Sequence, residues 1–374
     1  MNAPAAPRTL LIEEGWHATL AIARALADHG HTVTVLTAND SAARYRRGAV
    51  RWISGPAIER PQFPAHVAGL MRATPFDHVL PLTEAAMARL WDAPGPWHDR
   101  LHPATTPWQR QLLRSKHALV EHMAARGIEV PAQHRLDAAL DLDATVRALG
   151  LPLVLKGATG SAGKMVRIVD SRAALDQAVR RARAIGGDWA LQAFIPGPTY
   201  LVGGLFVDGE AVRLYGARKL AQHPPRTGGA IHLRSTDDAA LLDLGRRALR
   251  ELRWTGFASA DLMRDADGRH VLLEINPRLW GSFAGAAAAG VELFAPFAAL
   301  LAGHAPAPAL GFTADDDCLI FPRYLNAAAY RTLAGARQAL RDLRGDQGRD
   351  WRDPGLVLHT LRRLFHMRRR SHRL

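Results

Sequence analysis

The segment GFASADLMRDADGRHVLLEIN, residues 256–276, contains two apolar stretches on either side of a turn rich in aspartate and glycine. This pattern predicts two antiparallel strands, over residues 256–263 and 270–275. Because side chains alternate along a strand, Glu274 points to one face of the hairpin. Asp261, on the partner strand, can join that face, although the sequence alone leaves the register of the two strands open.

These polar side chains have the chemistry of a site for a hard cation. Asn276 lies on the same face as Glu274, and carboxylate and amide oxygens suit Mg²⁺, which takes water and substrate phosphates as its other ligands. Glu274 interrupts an apolar run, so we expect its side chain to be partly buried. Arg278, two residues beyond Asn276, can bind a phosphate or a carboxylate through two parallel hydrogen bonds. The alternative is a solvated hairpin whose acids are incidental.

A glycine-rich stretch, GATGSAGK at residues 157–164, follows the apolar segment LPLVLK. Its three glycines and other small residues would let backbone N–H groups close around phosphate oxygens. It is not a Walker loop, because the spacing differs and no serine or threonine follows Lys164. A tight turn between two strands is the alternative. Lys156, at the end of the apolar segment, is either a surface residue or a phosphate ligand, and we favour the ligand.

The composition is that of a globular protein. The chain has 374 residues, of which 48% are hydrophobic and 22% charged, and this length predicts two or three domains. No apolar run approaches the ~20 residues that a membrane span requires, and we expect no secretory leader. The single cysteine, Cys318, can form neither an intrachain disulfide nor a metal cluster. We therefore expect a cytoplasmic protein.

The net charge of +13 does not by itself indicate a nucleic-acid partner, and we expect none. Part of the excess is local, because six arginines and no acidic residue follow His359. Residues 351–365 have the apolar spacing of a basic amphipathic helix. Such a helix would either pack on the body of the protein, which we favour, or make peripheral contact with an anionic membrane.

The first hundred residues predict a small parallel α/β domain. A strand at 9–12, a helix at 18–29 and a strand at 32–36 form a βαβ unit, which is typical of a doubly wound sheet. The first turn, EEGWH, lacks the spaced glycines of a dinucleotide fingerprint, and this disfavours NAD-dependent chemistry. The following residues predict a larger α+β body rich in antiparallel hairpins, with helices at 109–126, 171–185, 237–252 and 283–302.

Four stretches, in this order, resemble the ATP-grasp superfamily, and in particular the bacterial proteins called predicted ATP-dependent carboligases. They are Ser115-Lys116, LPLVLKGATGSAGK (151–164), QAFIPG (192–197) and LLEINPRLWGS (272–282). The resemblance covers most of residues 8–305. It implies an α/β Rossmann-like pre-ATP-grasp domain followed by an α+β ATP-grasp fold of two subdomains. The implied boundaries are 1–108 for the first domain, 109–190 for the small lid subdomain, 191–305 for the large subdomain and 306–374 for a C-terminal extension.

The resemblance also implies a reaction. ATP would phosphorylate a small-molecule carboxylate, and an amine would then displace the phosphate to form an amide or peptide bond. Such an enzyme uses ATP with Mg²⁺, or with Mn²⁺ in its place. The chemistry depends on positioning and charge neutralisation, so it requires no serine, histidine or cysteine nucleophile.

The family's motifs assign roles to individual residues of this chain. The implied ATP-binding residues are Lys116, Lys156, Gly157, Gly160, Ser161, Gly163, Lys164 and, around the adenine, Gln192, Ala193, Phe194 and Ile195. The implied Mg²⁺ ligands are Asp261, Glu274 and Asn276. The implied catalytic residues are Arg278, which stabilises phosphate charge, and Lys219 and Arg226, which we expect in a loop where they bind the carboxylate or the γ-phosphate. The family often has acids where this chain has Ala193 and Thr199, and Glu210 is one candidate to replace them.

Other functions stay open at the level of the sequence. A carboxylase or a phosphotransferase could use the same scaffold. A nucleotide-binding, membrane-peripheral protein without turnover is a further alternative, because Ala193 and Thr199 depart from the family pattern and the tail is basic. A homodimer is the simplest assembly. The sequence does not name the carboxylate or the amine.

Overall fold

The computed structural model describes residues 5–13, 19–38, 50–160, 163, 165–223 and 225–320. The predicted helix at 351–365 lies outside these described residues, as do Ser161 and Lys164. None of the helices within them is long and apolar enough to cross a membrane. The chain divides into two compact units; the first contains residues up to Thr105 and Glu292–Pro308, and the second contains Thr106–Val291 and Ala309–Asp317. The four predicted domain boundaries stay predictions.

The first unit contains the predicted parallel sheet. Its elements begin with β1 (Arg8–Glu13), α1 (Thr19–Asp28), β2 (Thr32–Thr37), β3 (Val50–Ser54), α2 (Phe63–Ala73), β4 (His78–Pro81) and α3 (Glu84–Asp92). The strands run parallel in the order β3-β2-β1-β4. Leu10 and Ile12 of β1 are fully buried in the core of this unit. Helix α2 was not predicted from the sequence, because Pro64 and Gly69 weaken its helical pattern.

The first half of the second unit is built around a four-stranded antiparallel sheet of order β5-β8-β6-β7. Its elements are α4 (Pro107–Leu113), α5 (Lys116–Ala125), β5 (Gln133–Arg135), α6 (Leu142–Leu149), β6 (Leu153–Gly157), β7 (Val166–Val169), α7 (Arg172–Ile185) and β8 (Trp189–Ala193). The prediction of one helix over 109–126 is wrong. The side chain of Ser115 accepts a hydrogen bond from the N–H of Ala118, and this N-cap begins α5 as a separate helix.

The second half of this unit is built around a six-stranded sheet. Its elements are β9 (Thr199–Val207), β10 (Glu210–His223), β11 (Gly229–Ser235), α8 (Ala239–Glu251), β12 (Gly256–Arg264), β13 (His270–Asn276) and α9 (Ala284–Ala288); α10 (Phe294–Leu301) and β14 (Asp317–Leu319) follow along the chain. The strand order is β13-β12-β9-β10-β11-β14. The single helix predicted over 283–302 is instead α9 and α10, which are interrupted at Gly290, where φ is +87°.

One face of the six-stranded sheet is apolar and packs against α8. Val202, Ala260 and Leu262 of the sheet belong to one buried cluster with Leu244 and Ala248 of α8. Because side chains alternate along each strand, the residues between them point to the opposite face. We call this opposite face the site face.

Candidate functional site

The site face carries the predicted metal-binding carboxylates directly opposite each other. In the antiparallel pairing of β12 with β13, Asp261 lies opposite Glu274, and Ser259 lies opposite Asn276. This register settles what the sequence left open, since it puts both acids and the amide on one face. The pairing skips Leu273, which forms a β-bulge beside Glu274.

Two lysines from different elements converge on Glu274. Nζ of Lys116, the first residue of α5, lies 2.8 Å from Oε2 of Glu274, and Nζ of Lys156 in β6 lies 3.0 Å from the same oxygen. Lys156 also donates a hydrogen bond of 3.2 Å to the carbonyl oxygen of the bulged Leu273. Burial alone would raise the pKa of Glu274, but the two ammonium groups hold that pKa well below its usual range. The carboxyl group is therefore ionised.

Lys219 completes this group of charges. Its Nζ lies 2.8 Å from Oδ1 of Asp261, and its side chain is 6% exposed. The prediction of a loop at Lys219 is wrong, because β10 continues to His223 with a bulge around Leu220. Three ammonium groups and two carboxylates thus lie on the site face. Such an arrangement suits a ligand that carries several negative charges.

The oxygen donors of the site face fit Mg²⁺. Within the described ranges, no group of three or more histidine, cysteine, aspartate or glutamate side chains is placed to hold a metal ion alone. Mg²⁺ needs no such group, because it typically binds one or two carboxylates and fills its octahedron with waters and substrate phosphates. Asp261 and Glu274 supply two carboxylates, and Asn276 supplies an amide oxygen one step along the same face.

The turn between β10 and β11 contacts both the glycine-rich stretch and the end of β8. The guanidinium carbon of Arg226 lies 5.6 Å from the ring centroid of Phe194, which is a cation–π distance. A side-chain carbon added at Gly163 would collide with the carbonyl group of Thr227. Gly163 also has a φ of +73°, so both the conformation and the close approach require glycine. Gly163 and Phe194, which are predicted to bind ATP, therefore contact this turn, and Arg226, which is predicted to be catalytic, lies within it.

The predicted adenine-binding residues straddle the end of β8. Gln192 is 4% exposed, and the N–H of Ala193 donates a hydrogen bond of 2.9 Å to the carbonyl oxygen of Ala132. Phe194 and Ile195 follow the strand, and the adenine-binding role of all four residues stays a prediction. Glu210, the candidate replacement for the missing hinge acids, forms a surface ion pair of 2.8 Å with Arg250.

The remaining predicted residues lie near the same elements. Arg278 follows β13, and its backbone N–H donates a hydrogen bond of 2.9 Å to the carbonyl oxygen of Asn276. Gly157 ends β6 and donates through its N–H to the carbonyl oxygen of Met165 at 2.9 Å. Gly160 has a φ of +112°, a backbone conformation that only glycine adopts readily.

Two buried donors on the site face were not predicted from the sequence. Ser259 is 1% exposed and Trp280 is 3% exposed. Neither Oγ of Ser259 nor Nε1 of Trp280 has a hydrogen-bond partner among the described residues. A signal for Ser259 was present, because it stands two residues before Asp261 and therefore on the same face.

A comparison with known protein families identifies the domain that holds this site. Residues 113–282 match the family described as the ATP-grasp domain. These residues are an ATP-grasp domain. The matched range includes both lysines that contact Glu274 and the hairpin that carries Asp261.

The ATP-grasp domain has relatives among curated enzymes. Over 167 residues the chain is 30% identical to the D-alanine–D-alanine ligase of Chromohalobacter salexigens, a match that covers 41% of this chain and 51% of the ligase. It is also 28% identical over 165 residues to the pyruvate carboxylase of Schizosaccharomyces pombe, covering 41% of this chain and 14% of the carboxylase. The chain thus spans about half the length of the first relative and less of the second.

Solved structures share the ATP-grasp fold. The L-amino acid ligase from Bacillus licheniformis superposes with a TM-score of 0.57 at 21% identity, covering 75% of this chain and 69% of the ligase. The biotin carboxylase domain of 2-oxoglutarate carboxylase from Hydrogenobacter thermophilus superposes with a TM-score of 0.65 at 15% identity, covering 79% and 70%. At these identities the similarity shows the fold and leaves the reaction to be argued from the site.

Proposed function

We propose that this protein is an ATP- and Mg²⁺-dependent ligase that joins a small-molecule carboxylate to an amine. The observation that carries the proposal is the convergence of Lys116 and Lys156 on one oxygen of Glu274, directly opposite Asp261. Two ammonium groups that share a carboxylate oxygen can exchange it for the oxygens of a bound nucleotide. The relation to a D-alanine–D-alanine ligase supports this class of reaction.

The proposed reaction consists of two displacements. An oxygen of the carboxylate attacks the γ-phosphorus of ATP, the bond from that phosphorus to the bridging oxygen breaks, and ADP leaves with the electron pair. The amine nitrogen then attacks the acyl carbon of the acylphosphate, and phosphate leaves with the electrons of the broken C–O bond. The proton lost by the amine passes to solvent. The products are an amide, ADP and phosphate.

The charged residues divide the work of binding and neutralisation. Lys116 and Lys156 bind phosphate oxygens, and Arg278 lies two residues after Asn276, where it can stabilise charge on the transferred group. Asp261, Glu274 and Asn276 would hold Mg²⁺, which when bound neutralises phosphate charge. Lys219, which Asp261 holds in place, attracts the carboxylate to the same face.

The finer assignments belong to the same proposal. Gln192, Ala193, Phe194 and Ile195 would line the adenine pocket, with Arg226 over the ring of Phe194 at its edge. The first unit would be the Rossmann-like pre-ATP-grasp domain. The two halves of the second unit, each built on its own sheet, would be the two ATP-grasp subdomains.

A turnover assay tests the proposal. The full chain is mixed with ATP, Mg²⁺, pooled small carboxylates and amino acids, and pooled amines. We expect ADP and phosphate to be released only when Mg²⁺ and the pool are both present. The release should be lost in Glu274→Gln and kept in Glu251→Gln, a surface glutamate paired with Arg126. Formation of AMP and pyrophosphate, or ADP release that depends only on bicarbonate, would contradict the proposed ligase.

A further inference from the structure

Two rows of residues cross the strands on the site face. The row that carries the acids consists of Glu274, Asp261, Leu201 and Ala217, and the adjacent row consists of Asn276, Ser259, Gly203 and Tyr215. We call them the acid row and the donor row. Same-face neighbours along a strand are about 7 Å apart. A ligand that occupies the acid row therefore reaches the donor row with its next few atoms.

The ring of Trp280 can lie over the donor row because Gly203, a member of that row, has no side chain. A side-chain carbon added at Gly203 would lie 2.8 Å from Cε2 and Cζ2 of the Trp280 ring, closer than such atoms approach. Cε2 is bonded to Nε1, so the indole N–H lies over Gly203. Ser259 occupies the next position of the row, on the neighbouring strand.

The two side chains bring two buried donors to one place. Oγ of Ser259 and Nε1 of Trp280 are both inaccessible, and neither has a hydrogen-bond partner within the part of the chain that the structure describes. A buried donor without an acceptor is unfavourable, and native proteins rarely keep two together without a ligand or a water to satisfy them.

The missing acceptor has a definite chemical character. An indole N–H only donates, so the group that satisfies Trp280 must carry a lone pair on oxygen. An ammonium group cannot do so, and this excludes a protonated amino group as the acceptor. The three ammonium groups beside the acid row favour an acceptor with negative charge. A carboxylate meets both requirements, because one of its oxygens can accept from both donors.

We propose that Ser259 and Trp280 bind the carboxylate that the enzyme activates, holding one oxygen while the other faces the lysines of the acid row. This assignment rests on the proposed function. It makes Trp280 and Ser259 specificity-determining residues.

The test follows the NMR signal of the Trp280 indole N–H. In the ¹⁵N spectrum of the full chain with Mg²⁺ and ADP, this signal is assigned by its absence in Trp280→Phe, which keeps an aromatic ring over Gly203. Acetate, glycine, L-alanine and D-alanine are then titrated separately. We expect at least one to shift the signal in a saturable way, with affinity about tenfold weaker in Ser259→Ala.

A second readout separates substrate binding from a structural role. For the carboxylate that stimulates ADP release, its KM should rise about tenfold in each variant while the KM for ATP stays unchanged. Ser259→Ala should not lower Tm, because it removes an unpaired hydroxyl, whereas Trp280→Phe also removes part of a buried ring and should lower Tm modestly. Trp108→Phe, which changes an exposed tryptophan, should keep the wild-type KM.

Different results would overturn the ligase proposal and the carboxylate-binding inference. A Trp280 signal that none of the four carboxylates shifts would overturn the inference and indicate that an ordered water satisfies the two donors. Carboxylate-stimulated ADP release with unchanged KM in both variants would overturn it too, while leaving the ligase proposal intact. A saturable shift without any ADP release would support the binding site and contradict the ligase.

Discussion

The two faces of the six-stranded sheet are made by the same strands and differ in almost every physical respect. Ala260 and Leu262 of β12 are fully buried against α8, whereas Asp261, between them, forms an ion pair with Lys219. The apolar face gains its stability from burial, and the site face holds charges and unpaired donors. Alternation along a strand thus lets neighbouring residues serve stability and chemistry separately.

The largest effect is expected from neutralising the central acid of the site face. Glu274→Gln removes the charge that Lys116 and Lys156 share and one of the proposed Mg²⁺ oxygens. We expect ADP release to fall by about 10³-fold, the scale seen when a preorganised charge contact is lost. Tm should fall, because two ammonium groups lose the carboxylate that they share, so ADP release is compared per folded molecule, with circular dichroism measuring the folded fraction. A folded Glu274→Gln variant that keeps the ADP release of the wild type would contradict the assignment.

A cavity on the apolar face should lower stability and leave turnover unchanged. Leu262→Ala removes a fully buried side chain from the cluster against α8, and we expect a loss of about 2–5 kcal/mol in the free energy of unfolding. Urea denaturation measures this loss. The variant should keep the ADP release of the wild type per folded molecule. A large fall in turnover at unchanged stability would show that the two faces are not independent.

His117 of α5, next to Lys116, has a buried imidazole that makes stability depend on pH. Burial lowers the pKa of His117 to about 4, and the positive charges of Arg135 and Lys156 add to this effect against the opposing Asp188 and Glu121. The native state therefore binds this proton less readily than the unfolded chain, whose histidine has a pKa of about 6.5. Stability is lost as the pH falls from about 6.5 towards 4.

Urea denaturation at pH 7 and pH 5 measures the contribution of His117. The linkage between these pKa values amounts to about 2 kcal/mol at pH 5, so His117→Gln should lose about that much less stability than the wild type on acidification. His134→Gln, at an exposed position nearby, should behave as the wild type does. Equal acid sensitivity in His117→Gln and the wild type would contradict a buried neutral imidazole.

The smallest effects compare two glycines that face opposite sides of the sheet. A Cβ at Gly203 meets the ring of Trp280, and a Cβ at Gly245 of α8 meets Cγ1 of Val202 at 2.6 Å. Gly203→Ala should raise the carboxylate KM by about tenfold, whereas Gly245→Ala should cost about 1–3 kcal/mol of stability and leave KM unchanged. Kinetics and Tm for both variants check this pairing. A raised KM in Gly245→Ala, with a loss of stability only in Gly203→Ala, would contradict the assignment of chemistry to one face and stability to the other.

The sequence predicted the hairpin of the site well, because its signals are local. Alternation placed Glu274 and Asn276 on one face, and the turn at Asp265–Gly268 defined both strands. The register that brings Asp261 opposite Glu274 could not be predicted, since it depends on a bulge at Leu273 that leaves no mark in the sequence. Lys219 was predicted to lie in a loop, whereas β10 continues through it to His223.

Other features depend on contacts between distant parts of the chain. Lys116 and Lys156 were singled out from their own segments, but only the fold shows that both reach one oxygen of Glu274. Ser259 and Trp280 look like ordinary packing residues in the sequence. Only the fold shows that both donors are buried without a partner among the described residues, and that the indole ring lies over Gly203.

The most direct test of the central claim follows oxygen from the carboxylate to phosphate. The pooled carboxylates are labelled with ¹⁸O in both carboxyl oxygens, and the phosphate released with ADP is analysed by mass spectrometry. Activation as an acylphosphate predicts one ¹⁸O atom in each phosphate, because the C–O bond breaks when the amine attacks. Unlabelled phosphate, or label found in AMP, would contradict the proposed reaction.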